Sequence, residues 1–290
     1  MKNFEKTKNK KIIKVIFSVI ILIFVFWVVW GNLTLDVNTY TLESETLPKS
    51  FDGFKIAHLS DLHDSIMIKD NEKLLSELKE FSPDVIAVTG DAVDSNRPNF
   101  EATASFFYEA MKIAPCYYVL GNHEGWFDDE TLASFESKLL EAGVVILRGD
   151  SVLIERGGEK IEILGIDDPV FASKKQMSYS SHMSVENIKS ISKHDGYKIL
   201  LSHRPEYFEN YVGADIDLVL SGHVHGGQVR IPFIGGVYGP DQGFFPEYDS
   251  GIYEKNTTKM SVSRGLGNSV IPVRINNRAE IIFIELKNAQ

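Results

Sequence analysis

The chain has 290 residues, of which 43% are hydrophobic and 24% charged, and its formal net charge is −10. This length and composition suit one large globular domain with or without a small appendage. The acidic balance argues against nucleic-acid binding through a basic surface. A single cysteine, Cys116, excludes an intramolecular disulfide, and its apolar neighbours predict a buried core thiol.

Residues 12–30 form a nearly unbroken apolar segment. As a helix rising about 1.5 Å per residue, it matches a hydrocarbon core of about 30 Å. Lysines precede the segment, acidic residues follow it, and Trp27 and Trp30 lie near its far end. We therefore expect residues 1–31 to be a single-pass anchor in the cell membrane, with a cytoplasmic amino terminus and an extracytoplasmic main domain.

A cleaved signal peptide is the main alternative for this segment. The apolar stretch is long, and the bulky Trp27 and Trp30 crowd the region where cleavage would occur. These features favour an uncleaved signal-anchor. After it we expect a connector or first strand over 32–52, and then one main domain over 53–290.

The first half of the main domain alternates between apolar runs and segments with helical spacing. We predict strands at 54–59, 85–88 and 117–120, and helices at 69–81, 99–112 and 129–142. This alternation predicts parallel strands joined by helical crossovers, so the chain is of the α/β class. Ligands of such sheets bind at the carboxyl ends of the strands.

The second half is richer in strands. We predict strands at 144–147, 152–155, 161–165, 199–201, 218–220, 260–262 and 281–286, with Gly157-Gly158 as a hairpin turn. The composition of 168–183 predicts a mobile surface loop, and 184–193 a helix. Glycine-rich residues 226–251 are expected to form loops over a site, where Gly226, Gly227 and Gly236 would allow close backbone approach.

Short polar motifs directly follow the predicted strands. They are Asp61-Leu62-His63, Gly90-Asp91, Gly121-Asn122-His123-Glu124, His203 and Gly222-His223-Val224-His225. Each motif alone is more typical of a turn or a satisfied polar group than of a site, but their common position at strand ends predicts one functional centre. The set provides oxygen and nitrogen ligands for two metal ions. It has no thiolate, so it does not resemble a structural zinc site, and it suits Mn, Fe or Zn.

This ordered motif set resembles the calcineurin-like metallophosphoesterase superfamily over residues 54–286. The sequence from Gly222 to Pro232 and the segment Ser263-Arg264-Gly265-Leu266-Gly267 resemble its bacterial membrane-associated YkuE/YaeI-type phosphodiesterase branch. The resemblance implies a four-layer αββα sandwich, in which two facing sheets are flanked by helices.

The resemblance also implies individual roles. Asp61, His63 and His225 would hold one metal, Asn122, His203 and His223 would hold the other, and Asp91 would bridge them. A metal-activated hydroxide would attack phosphorus, and His123 would protonate the leaving group as general acid. Asp94 would orient and stabilise His123, although a solvated loop acid is the alternative.

Two arginines that follow the glycine-rich segments could bind phosphate oxygens in a bidentate fork. They are Arg230 and Arg264, and a surface ion pair is the equally weighted alternative for each. Arg204, which follows His203, could belong to a turn only.

The expected function is hydrolysis of a phosphodiester or pyrophosphate. The substrate classes considered are lipid-linked and envelope-derived phosphoesters, and no nucleic-acid or protein partner is expected. One alternative is a UDP-2,3-diacylglucosamine-type pyrophosphatase, which would require a cytoplasmic site against the predicted topology. Another is a metal-binding envelope scaffold without activity, which the intact His123 argues against. A secreted nuclease is disfavoured by the acidic main domain.

Overall fold

The protein is described by a computed structural model, which covers residues 2–65, 71–174, 177–268 and 272–290. The helices are α1 (Lys2–Leu33), α2 (Asn71–Phe81), α3 (Phe100–Ala110), α4 (Asn122–Gly125), α5 (Asp129–Glu141), α6 (Tyr179–His182), α7 (Val185–Ile191) and α8 (Phe208–Gly213). Single 3₁₀ turns cover Lys49–Phe51, Pro169–Ala172, Pro205–Tyr207 and His225–Gly227.

The strands follow in chain order. The first nine are β1 (Leu35–Ser44), β2 (Phe54–Leu59), β3 (Val85–Thr89), β4 (Cys116–Val119), β5 (Val145–Ile146), β6 (Asp150–Arg156), β7 (Glu159–Ile166), β8 (Lys198–Ser202) and β9 (Leu218–Ser221). The others are β10 (Arg230–Ile231), β11 (Gly235–Gly236), β12 (Tyr238–Gly239), β13 (Gly243–Phe244), β14 (Gly251–Lys255), β15 (Thr258–Val262) and β16 (Ala279–Asn288).

Two six-stranded sheets form the centre of the domain. The first has the order β1-β16-β2-β3-β4-β5, and the second has the order β14-β15-β9-β8-β7-β6. Strands β2 to β5 are parallel in the first sheet, and β15, β9, β8 and β7 are parallel in the second. The carboxyl ends of both parallel sets therefore provide the edges where ligands are expected.

Three apolar clusters separate four layers. One cluster lies between the sheets and includes Ile56, Ile163 and Leu220. A second joins the first sheet to α2, α3 and α5, and a third joins the second sheet to α7 and α8. The four-layer αββα prediction is confirmed. The alternating pattern alone predicted a mixed α/β fold, and the four layers were implied by the family resemblance. In this arrangement, each central strand buries one face against helices and the other against the facing sheet.

The stretch 32–52 contains an edge strand of the first sheet. Strand β1 pairs in parallel with β16 along its whole length, from Leu35 opposite Ala279 to Ser44 opposite Asn288. Only Thr34 separates β1 from α1. Within α1, Lys10–Leu33 is long and apolar enough to cross a membrane, and none of its most apolar window is buried against the described part of the chain.

Residues 168–183 differ from the predicted mobile loop. Asp168 begins a 3₁₀ turn and α6 follows, while Phe171 and Met183 are fully buried. Phe171 packs in the cluster of the first sheet and Met183 in that of the second. The Ser- and Lys-rich composition of 168–183 gave no indication that Phe171 and Met183 would be buried. Residues 175–176 of this segment, and 69–70 of the predicted helix 69–81, lie outside the described ranges.

Candidate metal centre

Seven predicted ligands lie at the carboxyl ends of parallel strands from both sheets. Asp61 and His63 follow β2, Asp91 follows β3, Asn122 follows β4, His203 follows β8, and His223 and His225 follow β9. All seven side chains are buried. The sheet topology thus brings together residues that are up to 164 positions apart, counted from Asp61 to His225.

Several of these ligands have a left-handed backbone. The φ angles are 50° at Asp61, 43° at His63, 53° at Asp91, 69° at His223 and 49° at His225. Non-glycine residues adopt this conformation at an energetic cost, and such residues cluster at functional sites. Backbone hydrogen bonds hold the turns together: the Asp61 amide donates to the Gly90 carbonyl, and the His63 amide to the Asp91 carbonyl, both at 3.0 Å.

The glycines before Asp91 and Asn122 are required by close packing. A Cβ on Gly121 would lie 2.2 Å from Oδ1 of Asp91. A Cβ on Gly90, where φ is +90°, would lie 2.7 Å from the backbone of Gly121. The Gly-Asp and Gly-Asn pairs therefore allow two strand ends to approach closely enough for both polar side chains to share one site.

The first donor cluster consists of Asp61, His63 and His225. Nε2 of His63 lies 3.3 Å from Nε2 of His225 and 3.9 Å from Oδ1 of Asp61, and Nε2 of His225 lies 3.3 Å from the same oxygen. Three buried donor atoms thus face a common point.

The second donor cluster consists of Asp91, His203 and His223, together with Asn122. Nε2 of His203 lies 3.0 Å from Oδ1 of Asn122, 3.1 Å from Nδ1 of His223 and 3.3 Å from Oδ2 of Asp91. The same Asp91 oxygen is 3.6 Å from Nε2 of His63 in the first cluster. Asp91 therefore lies between the two clusters.

The donor atoms fit two cations. Burial lowers the pKa of His63 to about 3, and burial together with Arg204 lowers that of His223 to about 4, so both rings are neutral at pH 7. Lone pairs of buried nitrogens and carboxylate oxygens repel one another at these separations unless a proton or a cation lies between them. Imidazole, carboxylate and amide ligands without thiolate match Mn, Fe or Zn.

Hydrogen-bond partners outside the two donor clusters orient two of the histidines. Nδ1 of His203 lies 2.6 Å from the Thr89 carbonyl, which fixes its proton there and turns Nε2 towards the cluster. Nε2 of His223 lies 3.1 Å from Oδ2 of Asp241, so Nδ1 faces the cluster. Arg204 contacts the same Asp241, the buried Asp168 and the His223 ring, so it joins Asp241 to the buried part of the site.

A buried arginine lies behind the third histidine. Nη2 of Arg274 is 3.3 Å from Nδ1 of His225, and Nη1 donates to the Arg264 carbonyl at 2.7 Å. Its backbone forms two hydrogen bonds of 2.8 Å with the side chain of Asn32, at the end of α1. Arg274 thus connects the apolar helix directly to the metal centre.

Glu124 holds the Gly-Asp and Gly-Asn turns together. Its carboxylate accepts hydrogen bonds from the amides of Gly121 at 2.8 Å, Asp91 at 3.0 Å and Val93 at 3.3 Å. Burial, followed by the charge of Asp91, raises the pKa of Glu124 to about 7. The fourth residue of the Gly-Asn-His-Glu motif therefore positions the strand ends.

His123 lies beside the donor clusters. Its ring centroid is 4.5 Å from that of His63 and 4.6 Å from that of the half-exposed Trp126. Nδ1 accepts a hydrogen bond from the Ser95 amide at 3.1 Å and lies 3.2 Å from the Ser95 hydroxyl. The neighbouring Asp94 carboxylate accepts from the Asn96 amide at 2.8 Å.

The two predicted phosphate-binding arginines are engaged with acidic residues. Arg230 lies 3.0 Å from Asp249 and donates to the Gly226 carbonyl at 3.0 Å. Arg264 pairs with Asp36 at 2.9 Å and with Glu280 at 3.1 Å. Arg264 therefore joins β1 and β16.

Sequence reasoning missed Arg204, Asp168, Asp241 and Arg274. Arg204 was open to detection because it directly follows the predicted ligand His203. The other three had no local signal, since Asp168 lies 36 positions from Arg204, Asp241 lies 18 positions from His223, and Arg274 lies 242 positions from Asn32.

Comparison with known proteins agrees with this geometry. The calcineurin-like phosphoesterase profile matches residues 54–227, which contain all seven predicted ligands. The chain is 30% identical over 262 residues to the uncharacterized metallophosphoesterase YkuE of Bacillus subtilis, covering 88% of this chain and 86% of YkuE. It is 28% identical over 239 residues to the phosphodiesterase YaeI of Escherichia coli, covering 80% and 82%.

A relative from Danio rerio is a transmembrane protein with a metallophosphoesterase domain. It is 30% identical over 262 residues, covering 84% of this chain and 56% of that protein. The family profile spans more than half of this chain, and the YkuE alignment spans most of both proteins. The chain therefore belongs to the calcineurin-like phosphoesterase family, and it is a phosphoester hydrolase.

Proposed function

We propose that the protein is a membrane-anchored phosphohydrolase that uses two metal ions to cleave phosphodiester or pyrophosphate bonds. The observation that carries this proposal is the pair of buried donor clusters with Asp91 between them. A site for two adjacent cations suits in-line displacement at phosphorus, where both the attacking and the leaving oxygen carry charge. The name of YaeI, a phosphodiesterase, supports the diester preference.

The proposed assignment gives Asp61, His63 and His225 to one metal, and Asn122, His203 and His223 to the other, with Asp91 bridging. Mn, Fe and Zn all suit these ligands. When bound, two such ions neutralise phosphate oxygens and provide hydroxide near neutral pH. The protein contributes a buried site with fixed ligand positions, because the strand ends and Glu124 hold the turns in place.

His123 is proposed to donate the proton to the leaving oxygen. The Ser95 amide donates to Nδ1, so the neutral ring carries its proton on Nε2. The charged ring that acts as the acid carries a second proton on Nδ1, which breaks the hydrogen bond from the Ser95 amide and is accepted instead by the Ser95 hydroxyl at 3.2 Å. Asp94, one residue earlier, adds negative charge that stabilises the charged ring.

Arg230 and Arg264 remain proposed phosphate contacts. Each would have to exchange an acidic partner for substrate, since Asp249 pairs with the first, and Asp36 and Glu280 pair with the second. Such an exchange requires the substrate to offer more negative charge than the partner that it displaces.

Membrane anchoring is proposed from α1. The stretch Lys10–Leu33 is apolar on all sides and nothing in the described ranges covers its most apolar window, which suits a bilayer and not a core helix. The transmembrane relative from Danio rerio supports this reading. The lysine bias before the span supports a cytoplasmic amino terminus and an extracytoplasmic catalytic domain.

The test uses the full chain in detergent, stripped with a chelator and reloaded with Mn. We expect turnover of bis-p-nitrophenyl phosphate to require the metal, about two metal ions per chain by mass spectrometry, and slower turnover of p-nitrophenyl phosphate. His123→Ala should lose its activity on an alkyl phosphodiester but keep much of its turnover of bis-p-nitrophenyl phosphate, whose leaving group needs no proton, whereas His194→Ala, on a surface loop, should keep both activities. Full metal loading without turnover of any phosphoester would support the inactive scaffold instead.

A further inference from the structure

An exposed apolar surface lies next to the metal centre. It is formed by two short hairpins, β10-β11 and β12-β13, which follow the turn that carries His225. We define the apolar rim as Phe233, Ile234, Phe244 and Phe245. Phe233 is fully exposed, and the other three are 64%, 74% and 59% exposed, respectively. Large side chains concentrated in this way mark a surface that binds a protein or a membrane.

The two hairpins form one unit with the metal centre. The Val237 amide donates to the Val229 carbonyl at 2.8 Å, and the Phe245 amide donates to the Val237 carbonyl at 2.9 Å. Gly227, two residues after His225, packs so tightly on Gly236 that a Cβ there would lie 2.4 Å from its Cα. The rim is therefore held at a fixed position relative to His225.

The same hairpins are joined to the end of the apolar helix. The Arg230 amide donates to the Ile275 carbonyl at 3.0 Å, and Nδ2 of Asn276 donates to the Arg230 carbonyl at 3.1 Å. The preceding residue, Arg274, is bonded through its backbone to Asn32 of α1. A short path of hydrogen bonds thus links the rim to the point where α1 leaves the domain.

The end of α1 has the chemistry of a membrane interface. Trp27 and Trp30 lie in its last two turns, and the Arg278 guanidinium stacks over the Trp30 ring at 4.9 Å. Tryptophan and arginine at the end of an apolar span are typical of the headgroup level. Because the rim is linked to this point, a bilayer that contains α1 lies beside the rim.

We propose that the apolar rim inserts into the surface of the bilayer that holds α1, so that the metal centre acts on phosphoesters in lipid headgroups. This inference rests on the proposed function and adds the substrate class to it. Aromatic and aliphatic side chains at the interface gain binding energy from burial, and the second contact point would restrict rotation of the domain about the axis of α1.

The first experiment measures insertion independently of activity. The full chain carries Phe233→Cys, or Leu140→Cys as the matched control, since Leu140 on α5 is 59% exposed. Each cysteine is labelled with a fluorophore, while the fully buried Cys116 reacts slowly. In vesicles of phosphatidylglycerol and phosphatidylcholine, acyl-chain nitroxide lipids should quench position 233 by about twofold or more and leave position 140 unchanged. Equal quenching at both positions, or none at 233, would overturn the proposal.

The second experiment separates docking from chemistry. The Phe233→Ser/Ile234→Ser variant should hydrolyse bis-p-nitrophenyl phosphate in detergent at the wild-type rate. Its hydrolysis of a phospholipid diester in vesicles should fall about tenfold, whereas Leu140→Ser should change neither. Equal rates of variant and wild type on vesicles would refute the role of the rim, and no hydrolysis of the phospholipid by the wild type would refute the substrate class. Quenching at 233 without any phosphoesterase activity would uphold docking and refute only the proposed function. A doubled mass in light scattering, with no quenching, would assign the rim to self-association and overturn the proposal.

Discussion

The main-chain amide of Ser95 donates a hydrogen bond to Nδ1 of His123 at 3.1 Å, with the Ser95 hydroxyl beside it. Because Nδ1 accepts this hydrogen bond, the proton of the neutral His123 ring lies on Nε2. His123→Gln should therefore slow hydrolysis of an alkyl phosphodiester by about 10² to 10⁴. A p-nitrophenyl ester should lose much less, because its leaving group needs no proton. Equal losses with both leaving groups would refute the general-acid role.

Asp91 is expected to control both metals. Asp91→Asn keeps the shape of the side chain but removes the charge between the two donor clusters. We expect it to lose both metal ions and to reduce activity by more than about 100-fold, whereas Asp61→Asn should lose mainly one ion. Metal content per chain by mass spectrometry, with Asp94→Asn as the control, checks this. Two retained ions in Asp91→Asn would contradict the bridging assignment.

Arg204 is expected to act through His223. Arg204→Lys cannot reproduce its contacts with Asp168, Asp241 and the ring, so metal affinity should fall about 10- to 100-fold. The matched control is Arg148→Lys, because Arg148 pairs with the adjacent Asp167 and with Glu136 but contacts no predicted ligand. Metal titrations of both variants measure whether the affinity falls only in Arg204→Lys. An equal loss in the control would indicate a general effect on folding.

His58 makes stability depend on pH. Burial lowers its pKa from 6.5 to about 3, and Nε2 lies 2.9 Å from the Thr89 hydroxyl. As pH falls below about 6.5, the unfolded chain takes up a proton at His58 that the folded chain does not, so folding stability decreases until about pH 3. The slope from this group reaches about 1.4 kcal/mol per pH unit.

Replacing His58 should flatten that dependence. His58→Gln should lose less stability than the wild type between pH 6.5 and pH 4 in urea titrations, whatever its stability at neutral pH. His194→Gln, on the surface, is the control. An unchanged slope in His58→Gln would show that other groups cause the acid sensitivity.

Arg264 tests the predicted phosphate contacts. Its pairs with Asp36 and Glu280 join β1 to β16, so Arg264→Gln should lower the free energy of unfolding by about 1 to 3 kcal/mol. A phosphate contact would in addition raise KM for the diester. Urea unfolding and steady-state kinetics, with Arg230→Gln in parallel, separate these effects. A raised KM at unchanged stability would assign Arg264 to substrate alone.

The convergence of the motifs at one site could be predicted from sequence because the ends of parallel strands lie at a common edge. Strands β2, β3, β4, β8 and β9 are parallel within their sheets, and their carboxyl ends meet at one edge, so polar residues placed directly after apolar runs must converge. That reasoning placed Asp61, Asp91 and His223 together without any knowledge of the contacts. The apolar runs also set the layers, because strands that are buried on both faces need cover on both sides.

Other parts depend on contacts that leave no local pattern. Strand β1 pairs with β16, and Leu35 lies opposite Ala279. Arg274 reaches His225 and Asn32 from a loop whose composition is unremarkable. Phe171 and Met183 anchor a segment that otherwise has the composition of a loop. In each case, the partner that determines the structure lies far away in the chain, so no window of neighbouring residues contains the signal.

The single residue between α1 and β1 limits how the enzyme can search for substrate. Thr34 is bonded on one side to the Trp30 carbonyl and on the other to Arg278, both at 2.9 Å. A flexible tether of twenty residues would let the catalytic domain wander about 25 Å. In the proposed membrane-anchored state, the bonded junction would hold the active centre at a constant height above the lipid surface. The enzyme would then meet its substrates by lateral diffusion in two dimensions, and phosphoesters held far above the membrane would remain out of reach.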